Sequence, residues 1–360
     1  MFKLKTLSLA IFVCVATTQA SAFTWENENG DTLTLDGRFE IRYQDKGGDH
    51  DGEWNSGSSR FGLLGTKQLE DGWKGFGHAE WGYNSGSNGS DIYDRLLYAG
   101  FEHDVYGKLT VGTKQFSSFY DVSWVTDMGR TYGTRGSGQY NLADWGISSG
   151  TGRAKNSIVY RNKAGDRLSY GLTYQTTRND VGFSNGLKGT LKNGMGASAN
   201  YKITDHVTAG LAYHQNTFDD LDTGVKNIED GDEQRIALVA LRYSSKDLFV
   251  GFTASQGGSW EVNDSGEFFD SKGMELFAGY FLTEKLRSTF NVNYLSDRDG
   301  KSNDYHRETY IPGLEYHFER NTLIVWAEYQ IDKGCDQWDE KSNRYQNRDD
   351  QFSAGIRYYF

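Results

Sequence analysis

The chain is poor in proline, cysteine and long apolar runs, and each shortage excludes a class of structure. One proline among 360 residues leaves few interruptions in a β-ladder. Of the two cysteines, Cys14 lies in an N-terminal targeting segment, so Cys335 has no intramolecular disulfide partner. The longest later apolar stretch, 236–241, is far shorter than the roughly 20 residues of a membrane-spanning helix. Disulfide scaffolds and helical membrane proteins are thereby excluded.

Glycine and aromatic residues are abundant instead, with 44 glycines and 15% aromatic residues. The final segment alternates strictly between an apolar face and a mostly polar one. Its apolar face consists of Phe352, Ala354, Ile356, Tyr358 and Phe360. Similar alternation recurs in segments 35–43, 168–175, 207–214 and 286–294. A period of two with one apolar face is typical of transmembrane β-strands, which have lipid outside and water inside. The pattern therefore predicts an all-β outer-membrane barrel.

The first 22 residues have the anatomy of a secretory signal. Lys3 and Lys5 form a basic start, residues 7–15 an apolar centre, and Ala20-Ser21-Ala22 a cleavage site. We expect residues 1–22 to be a signal peptide and residues 23–360 to form one barrel domain in a Gram-negative outer membrane. The net charge of −11 becomes more negative once the two lysines are removed. This acidic balance argues against a nucleic-acid partner.

Short turn signals recur along the chain and set the number of strands. They fall at 70–72, 104–107, 163–166, 204–206, 244–247, 283–285 and 319–321. Seven turns that join strands in pairs, together with a first and a last strand, predict a sixteen-stranded antiparallel barrel. Pro312 lies inside a predicted strand, 310–318. Because a closed barrel has no edge strand, we expect a bulge near the outer end of that strand.

The longest connection runs over about 116–152 and is rich in glycine, serine and aspartate. A sixteen-stranded barrel is too wide for its own side chains to fill, and it encloses an aqueous channel. Loops of this length are uncommon and usually functional. We therefore expect this segment to fold inward as a constriction loop that sets the pore size.

Several collinear stretches carry a family resemblance. Residues 35–38 read L-D-G-R beside a family pattern L-Y-G-K, and residues 94–101 read D-R-L-L-Y-A-G-F beside T-R-L-A-F-A-G-L. Residues 120–128 contain Y-D-V followed by T-D-M, a pair found in the family's constriction loop. Further matches lie at 59–65, 152–154, 160–162 and the aromatic C-terminus. Over essentially the whole mature chain, the sequence resembles the general diffusion porins of Gram-negative outer membranes, the trimeric enterobacterial type.

The resemblance implies a set of pore-constriction residues. The basic row on the barrel wall would be Arg38, Arg60, Arg95 and Arg153. The acidic and loop positions would be Glu80, Tyr120, Asp121, Asp127 and Arg130. Alternation independently places Arg38 on the bore side, and Arg42 as well. Where the family has proline and glutamate, this chain has Arg130 and Thr131, a shift of about two positive charges. Two charges 10 Å apart in water interact by roughly 0.4 kcal/mol, so we expect weak charge selectivity.

Passive diffusion of small hydrophilic solutes and ions is the leading functional hypothesis. A channel selective for sugars or oligosaccharides is the alternative, because the loop contains several aromatic rings that could stack on a solute. These rings are Tyr120, Trp124, Tyr132, Tyr140 and Trp145. Packing of the loop against the wall is the simpler role for them. We expect no enzyme, because segment 133–138 is only a degenerate nucleophile elbow. The acidic run 219–233 lacks the calcium-loop pattern, and we expect no metal and no cofactor.

The resemblance also implies partners. A homotrimer is expected, with the loop near 85–91 reaching a neighbouring copy. Outer-membrane lipid and lipopolysaccharide would surround the barrel. Phe360 and Tyr358 would form a C-terminal signal for the outer-membrane assembly machinery.

Overall fold

The computed structural model describes residues 22–48, 51–86, 89–140, 149–183, 186–263, 266–302, 305–339 and 344–360. Residues 1–21, which hold most of the expected signal peptide, lie outside the described residues. The described chain forms a closed, antiparallel, sixteen-stranded barrel, which confirms the predicted fold class. No helix in these ranges is both long and apolar enough to cross a bilayer.

The elements follow in chain order. The strands are β1 Phe23–Glu26, β2 Thr32–Asp45, β3 Glu53–Asn55, β4 Arg60–Gln68, β5 Lys74–Gly86, β6 Gly89–His103, β7 Gly107–Phe116, β8 Arg153–Ala164, β9 Leu168–Gln175, β10 Arg178–Gly182, β11 Lys188–Lys202, β12 Val207–Asp219, β13 Glu233–Ser244, β14 Leu248–Val262, β15 Phe268–Phe281, β16 Leu286–Asp297, β17 His306–Glu319, β18 Leu323–Asp332, β19 Gln337–Asp339, β20 Arg344–Gln346 and β21 Gln351–Tyr359. A short helix, α1, spans Tyr120–Ser123, and 3₁₀ turns span Glu70–Gly72 and Trp124–Thr126.

Three of the sixteen barrel positions are each built from two strands. β3 and β4 both pair with β2, and β9 and β10 both pair with β11. The third position joins the two ends of the chain. Phe23 of β1 pairs with Leu35, and Tyr359 of β21 pairs with Arg38 farther along β2. Two backbone hydrogen bonds between Gly37 and Phe360, of 3.0 and 3.1 Å, lie where these two strands meet. β19 and β20 form a separate hairpin.

The predicted alternation and the predicted turns are confirmed. On β2, Phe39 and Ile41 are 62% and 52% exposed on the outer face, whereas Glu40 is 1% exposed on the inner face. All seven predicted turns connect consecutive strands at one end of the barrel. The longer connections lie at the opposite end, as expected for an outer-membrane barrel.

Two local predictions were wrong. β16 and β17 stay in register across Pro312, which pairs with Phe290, and the ladder with β18 keeps one register on either side of it. The register shift in β17 lies instead between His317 and Glu319, beside the tight turn. Proline therefore removes a hydrogen-bond donor without displacing the strand. The expected loop at 85–91 is mostly ladder, since β5 and β6 pair out to Gly86 and Gly89.

The largest buried apolar cluster lies inside the barrel, between the loop and the wall. Here the loop packs on apolar side chains of the inner wall and shields them from water. Three loop side chains, Phe119, Val122 and Val125, belong to this cluster. The wall contributes Ala212, Ile236, Leu238, Ala240 and Trp260. The infolding of the loop predicted from the sequence is therefore visible in its packing.

Candidate functional site: the infolded loop and the arginine wall

The loop leaves β7 and turns at once into the barrel. Its base is closed by a 3.0 Å hydrogen bond from the Ser117 amide to the Gly152 carbonyl. Farther along, its backbone lies directly on the wall at glycines. A Cβ atom at Gly251 would overlap the Val125 carbonyl, and one at Gly273 would overlap Gly136 of the loop. These two wall glycines provide the space in which the loop backbone lies.

Arg130 fixes the middle of the loop to β17. Its Nε donates to Glu315 Oε1 at 2.7 Å, and its Nη2 donates to Oε2 at 2.9 Å. The two side chains are only 9% and 2% exposed. Burial disfavours the charged guanidinium, but the Glu315 carboxylate outweighs this effect and raises the pKa of Arg130. Arg130 is thus paired with a wall carboxylate, a partner that the sequence analysis did not identify.

Two further wall glutamates hold the same segment. The carboxylate of Glu328 on β18 accepts hydrogen bonds from three successive loop amides, residues 130–132, at 2.6, 2.8 and 3.3 Å. Glu275 on β15 accepts from the Gly136 amide at 2.7 Å and from the Thr126 hydroxyl. Sequence analysis missed all three of these glutamates. Each occupies an inward position of an alternating strand, which is the signal that could have found them.

Asp121 fixes the beginning of the loop to the opposite wall. Arg161 on β8 donates to its two carboxylate oxygens at 2.7 and 3.0 Å. The Nη2 of Arg161 also donates to the carbonyls of Phe116 and Ser117. Asp121 is therefore bound to Arg161 rather than to any of the four predicted arginines. Arg161 lies in one of the stretches that carry the resemblance, but it was not selected as a site residue.

Asp127 organises the interior of the loop. Its Oδ2 accepts hydrogen bonds of 3.0 Å from the hydroxyls of Tyr120 and Tyr140 and from the Gln139 amide. Burial and the Asp127 carboxylate raise the pKa of Tyr120, so that its hydroxyl stays a donor. Tyr132 is 8% exposed, which agrees with the simpler packing role for the loop rings. Trp145 lies outside the described residues.

The predicted arginines line β2, β4, β6 and β8. Arg38 and Arg60 are directly opposed register partners on neighbouring strands. Glu80 on β5 serves two of them, with its oxygens 3.3 Å from Arg60 Nε and 2.7 Å from Arg95 Nε. A register shift opposite Glu80 brings Arg95 to this carboxylate. Arg153 stands at the start of β8, and its buried Nη1 has no acceptor among the described residues.

A second group extends the row along β2 and β21. Glu40 lies 3.1 Å from Arg42 Nε and also contacts Arg357. Arg38 Nε donates to the Ser58 carbonyl at 2.9 Å. Arg357 and Glu40 were missed by the sequence analysis, although both occupy inward positions. The wall sector carries six arginines and two glutamates, namely Arg38, Arg42, Arg60, Arg95, Arg153, Arg357, Glu40 and Glu80. Two guanidinium groups on directly opposed residues, such as Arg38 and Arg60, repel each other unless water or anions screen their charges.

The C-terminal aromatic residues lie at the outer surface, next to the junction of β1 and β21. Tyr358 is 46% exposed and pairs in register with Phe39. The Phe360 ring packs on Phe39 at 5.1 Å between centroids. The Tyr358 ring is therefore exposed on the lipid side, and the Phe360 ring is half-buried beside it.

The chain is similar to known outer-membrane proteins along most of its length. Residues 7–359 match the family described as Gram-negative porin. It is 27% identical to outer membrane protein F of Serratia marcescens, with 92% of each chain covered. It is 29% identical to outer membrane porin N of Escherichia coli strain K12, covering 69% of this chain and 67% of that relative. A solved structure of Salmonella typhi OmpF in complex with daunomycin shares the fold, with a TM-score of 0.76, 21% identity and coverage of 94% and 100%. An anion-selective porin from Comamonas acidovorans has a TM-score of 0.69 at 14% identity, covering 92% of this chain and 100% of that one.

Proposed function

The chain belongs to the Gram-negative porins, and from this premise we propose that the gap between its latched loop and its arginine wall limits passage through the channel. The protein is an outer-membrane channel for passive diffusion of small hydrophilic solutes and ions. Diffusion requires no chemical step, so no catalytic residue is assigned. The observation that carries the proposal is the fixing of one loop to opposite walls, by Arg161 on one side and by Glu315 on the other.

The proposed pore-limiting residues are Arg38, Arg60, Arg95, Arg153 and Glu80 on the wall, with Tyr120, Asp121, Asp127 and Arg130 holding the facing loop. The wall sector has more guanidinium groups than carboxylates, while Asp121 and Arg130 are paired with wall residues. We therefore expect weak selectivity, in favour of anions. Salt screens these charges, so the preference should be strongest at low ionic strength.

Planar-bilayer measurements test this assignment. Solutes of graded size should show an exclusion limit, and reversal potentials in a salt gradient should report a weak anion preference. Arg153→Gln removes one charge and should move the permeability ratio toward cations by about a factor of two at low salt. Lys246→Gln, in a tight turn, is the matched control. A strong preference for ions of one sign, or an unchanged ratio in the Arg153 variant, would contradict the proposal.

We propose a homotrimer as the working assembly. An outward concavity across β4 to β8 supports it, because small side chains there leave space for a second copy. Gly65, Gly77, Ala79, Ala99 and Gly112 line this concavity. Heat-dependent migration of the purified protein on a gel tests the assembly. A monomer in mild detergent would count against it.

Lipopolysaccharide and the assembly machinery are further proposed partners. Lys114 and Lys155 are directly opposed register partners on β7 and β8, and the other partner of Lys114, Leu97, is 51% exposed. Two like charges toward the lipid would be stabilised by lipid phosphates. Lys114→Gln with Lys155→Gln should lower the amount of co-purified lipopolysaccharide. The exposed Tyr358 ring and the half-buried Phe360 ring beside it are proposed as the surface that the assembly machinery recognises.

A further inference from the structure

A cavity of about 900 Å³ lies under the loop, at the tight-turn end of the barrel. Three aromatic rings of the loop line it, those of Phe116, Tyr120 and Trp124. Phe116 and Tyr120 are stacked, with 4.3 Å between their centroids. The volume is within the range of pockets that hold small organic molecules. This space is separate from the residues assigned above to the arginine wall.

The walls of the cavity carry more positive than negative charge. Its lining includes six cationic and four anionic side chains, in addition to His103. Two acid–cation pairs lie within this lining, Asp121 with Arg161 at 2.7 Å and Glu102 with Lys108 at 4.0 Å, and a third lining cation, Lys202, is 3.8 Å from Asp205. The cations that line it are Lys108, Arg161, Lys163, Arg167, Lys202 and Arg242. A solute in this cavity would meet aromatic rings and surplus positive charge together.

Arg242 joins these two features at one point. It occupies an inward position on β13, and its guanidinium carbon lies 5.4 Å from the centroid of the Trp124 ring. Its Nη2 donates to the Thr208 hydroxyl at 3.1 Å. Its Nε is buried without an acceptor among the described residues, and the bond to Thr208 is its one side-chain hydrogen bond within those ranges. A guanidinium held by one hydrogen bond and one ring retains Nη donors for an anionic group.

From this geometry we propose that the cavity is a transient binding site for small aromatic anions, that is, planar rings bearing a carboxylate or a phosphate. Arg242 binds the anionic group, and the ring of the solute packs against the aromatic side chains of the loop. The proposal rests on the channel function, since solutes reach the cavity by diffusion. The proposed site also differs from a site in a sugar-selective channel, because an uncharged sugar would not form an ion pair with the Arg242 guanidinium.

Single-channel current block measures such binding. The probe is benzoate, with benzyl alcohol as the ring without charge and cyclohexanecarboxylate as the charge without an aromatic ring. We expect benzoate to interrupt the current at a concentration at least ~5-fold lower than either analogue, the ratio expected from one ring or cation contact. Equal block by all three compounds would overturn the proposal.

Variants identify the residues that carry the block. Arg242→Gln should weaken benzoate block by ~5-fold or more, and Arg242→Lys should be intermediate because it retains the charge. Trp124→Leu should abolish the preference for benzoate over cyclohexanecarboxylate. Arg235→Gln is the matched control, since Arg235 is an exposed residue of the same strand with no place in the cavity. If Trp124→Leu does not fold, the two Arg242 variants test the site on their own. Benzoate block in Arg242→Gln that is as strong as in the parent chain would refute the site.

Open-channel conductance separates this proposal from the function on which it rests. A protein that conducts ions but shows no benzoate preference contradicts only the binding site. A folded protein that conducts no ions contradicts the channel function itself. Folding of each variant is checked by its heat-dependent gel migration and its open-channel conductance.

Discussion

Replacing Glu315 by glutamine should release the middle of the loop more completely than replacing Arg130. The Glu315 carboxylate contacts two guanidinium groups, those of Arg130 at 2.7 Å and Arg287 at 3.3 Å, and it also accepts from His317. Removing it leaves two buried cations without their counter-ion. Replacing Arg130 by glutamine leaves the carboxylate still paired with Arg287. Glu315→Gln therefore leaves two unbalanced positive charges, whereas Arg130→Gln leaves a balanced pair.

The magnitude follows from burial. Removing one partner of a buried ion pair costs about 3–5 kcal/mol, and with side chains 9% and 2% exposed little of that is lost to solvent screening. About 3 kcal/mol corresponds to a change of about 100-fold in the equilibrium between docked and undocked loop. The hydrogen bonds from residues 130–132 to Glu328 should then open far more often.

Hydrogen exchange measures this opening directly. In detergent-solubilised protein, the amides of residues 130–132 should exchange about 100-fold faster in Glu315→Gln than in the parent chain. Single-channel records should show more current noise and additional conductance levels. Glu319→Gln, an exposed position at the end of the same strand, should change neither. Unchanged exchange and noise in Glu315→Gln, or a larger effect of Arg130→Gln, would refute the reasoning.

Three other outcomes follow from the structure. Gly251→Ala should push the loop from the wall and lower single-channel conductance, whereas Gly182→Ala, where a Cβ meets no atom within 4 Å, should not. Asp127→Asn should weaken the hydrogen bonds inside the loop and cost about 1–3 kcal/mol, seen as a lower unfolding temperature; an unchanged temperature would contradict this. Phe360→Ala should lower the yield of assembled barrel in cells, while refolding in detergent should be nearly unaffected; an equal loss in both would indicate a purely structural role.

The sequence was sufficient for the barrel because its strands carry a repeated physical pattern. Phe39 and Ile41 face the lipid whereas Glu40 faces the interior, and this alternation can be read from the local sequence of each strand. The turns between strands are equally local, which explains why all seven were predicted. The bulge expected at Pro312 does not form, because a long, continuous ladder tolerates the loss of one hydrogen-bond donor without a change of register.

The site was harder to predict because its contacts join distant parts of the chain. Arg130 meets Glu315 across 185 residues, and no local pattern couples these two positions. Family resemblance identified the loop and the arginines, but it did not identify the wall partner of Arg130. Strand alternation could have placed Glu275 and Glu328 as inward acids, yet only the three-dimensional path of the loop shows that its amides are their partners.

The shared position of β1 and β21 has a consequence for chains that are cut short. Strand β21 lies between β18 and β2, and it pairs with both. A nascent or proteolysed chain that lacks it would present two unpaired backbone edges to the hydrocarbon, where each unsatisfied amide costs several kcal/mol. Only chains synthesised to the last strand can close, so truncated products should remain outside the bilayer and be accessible to proteases.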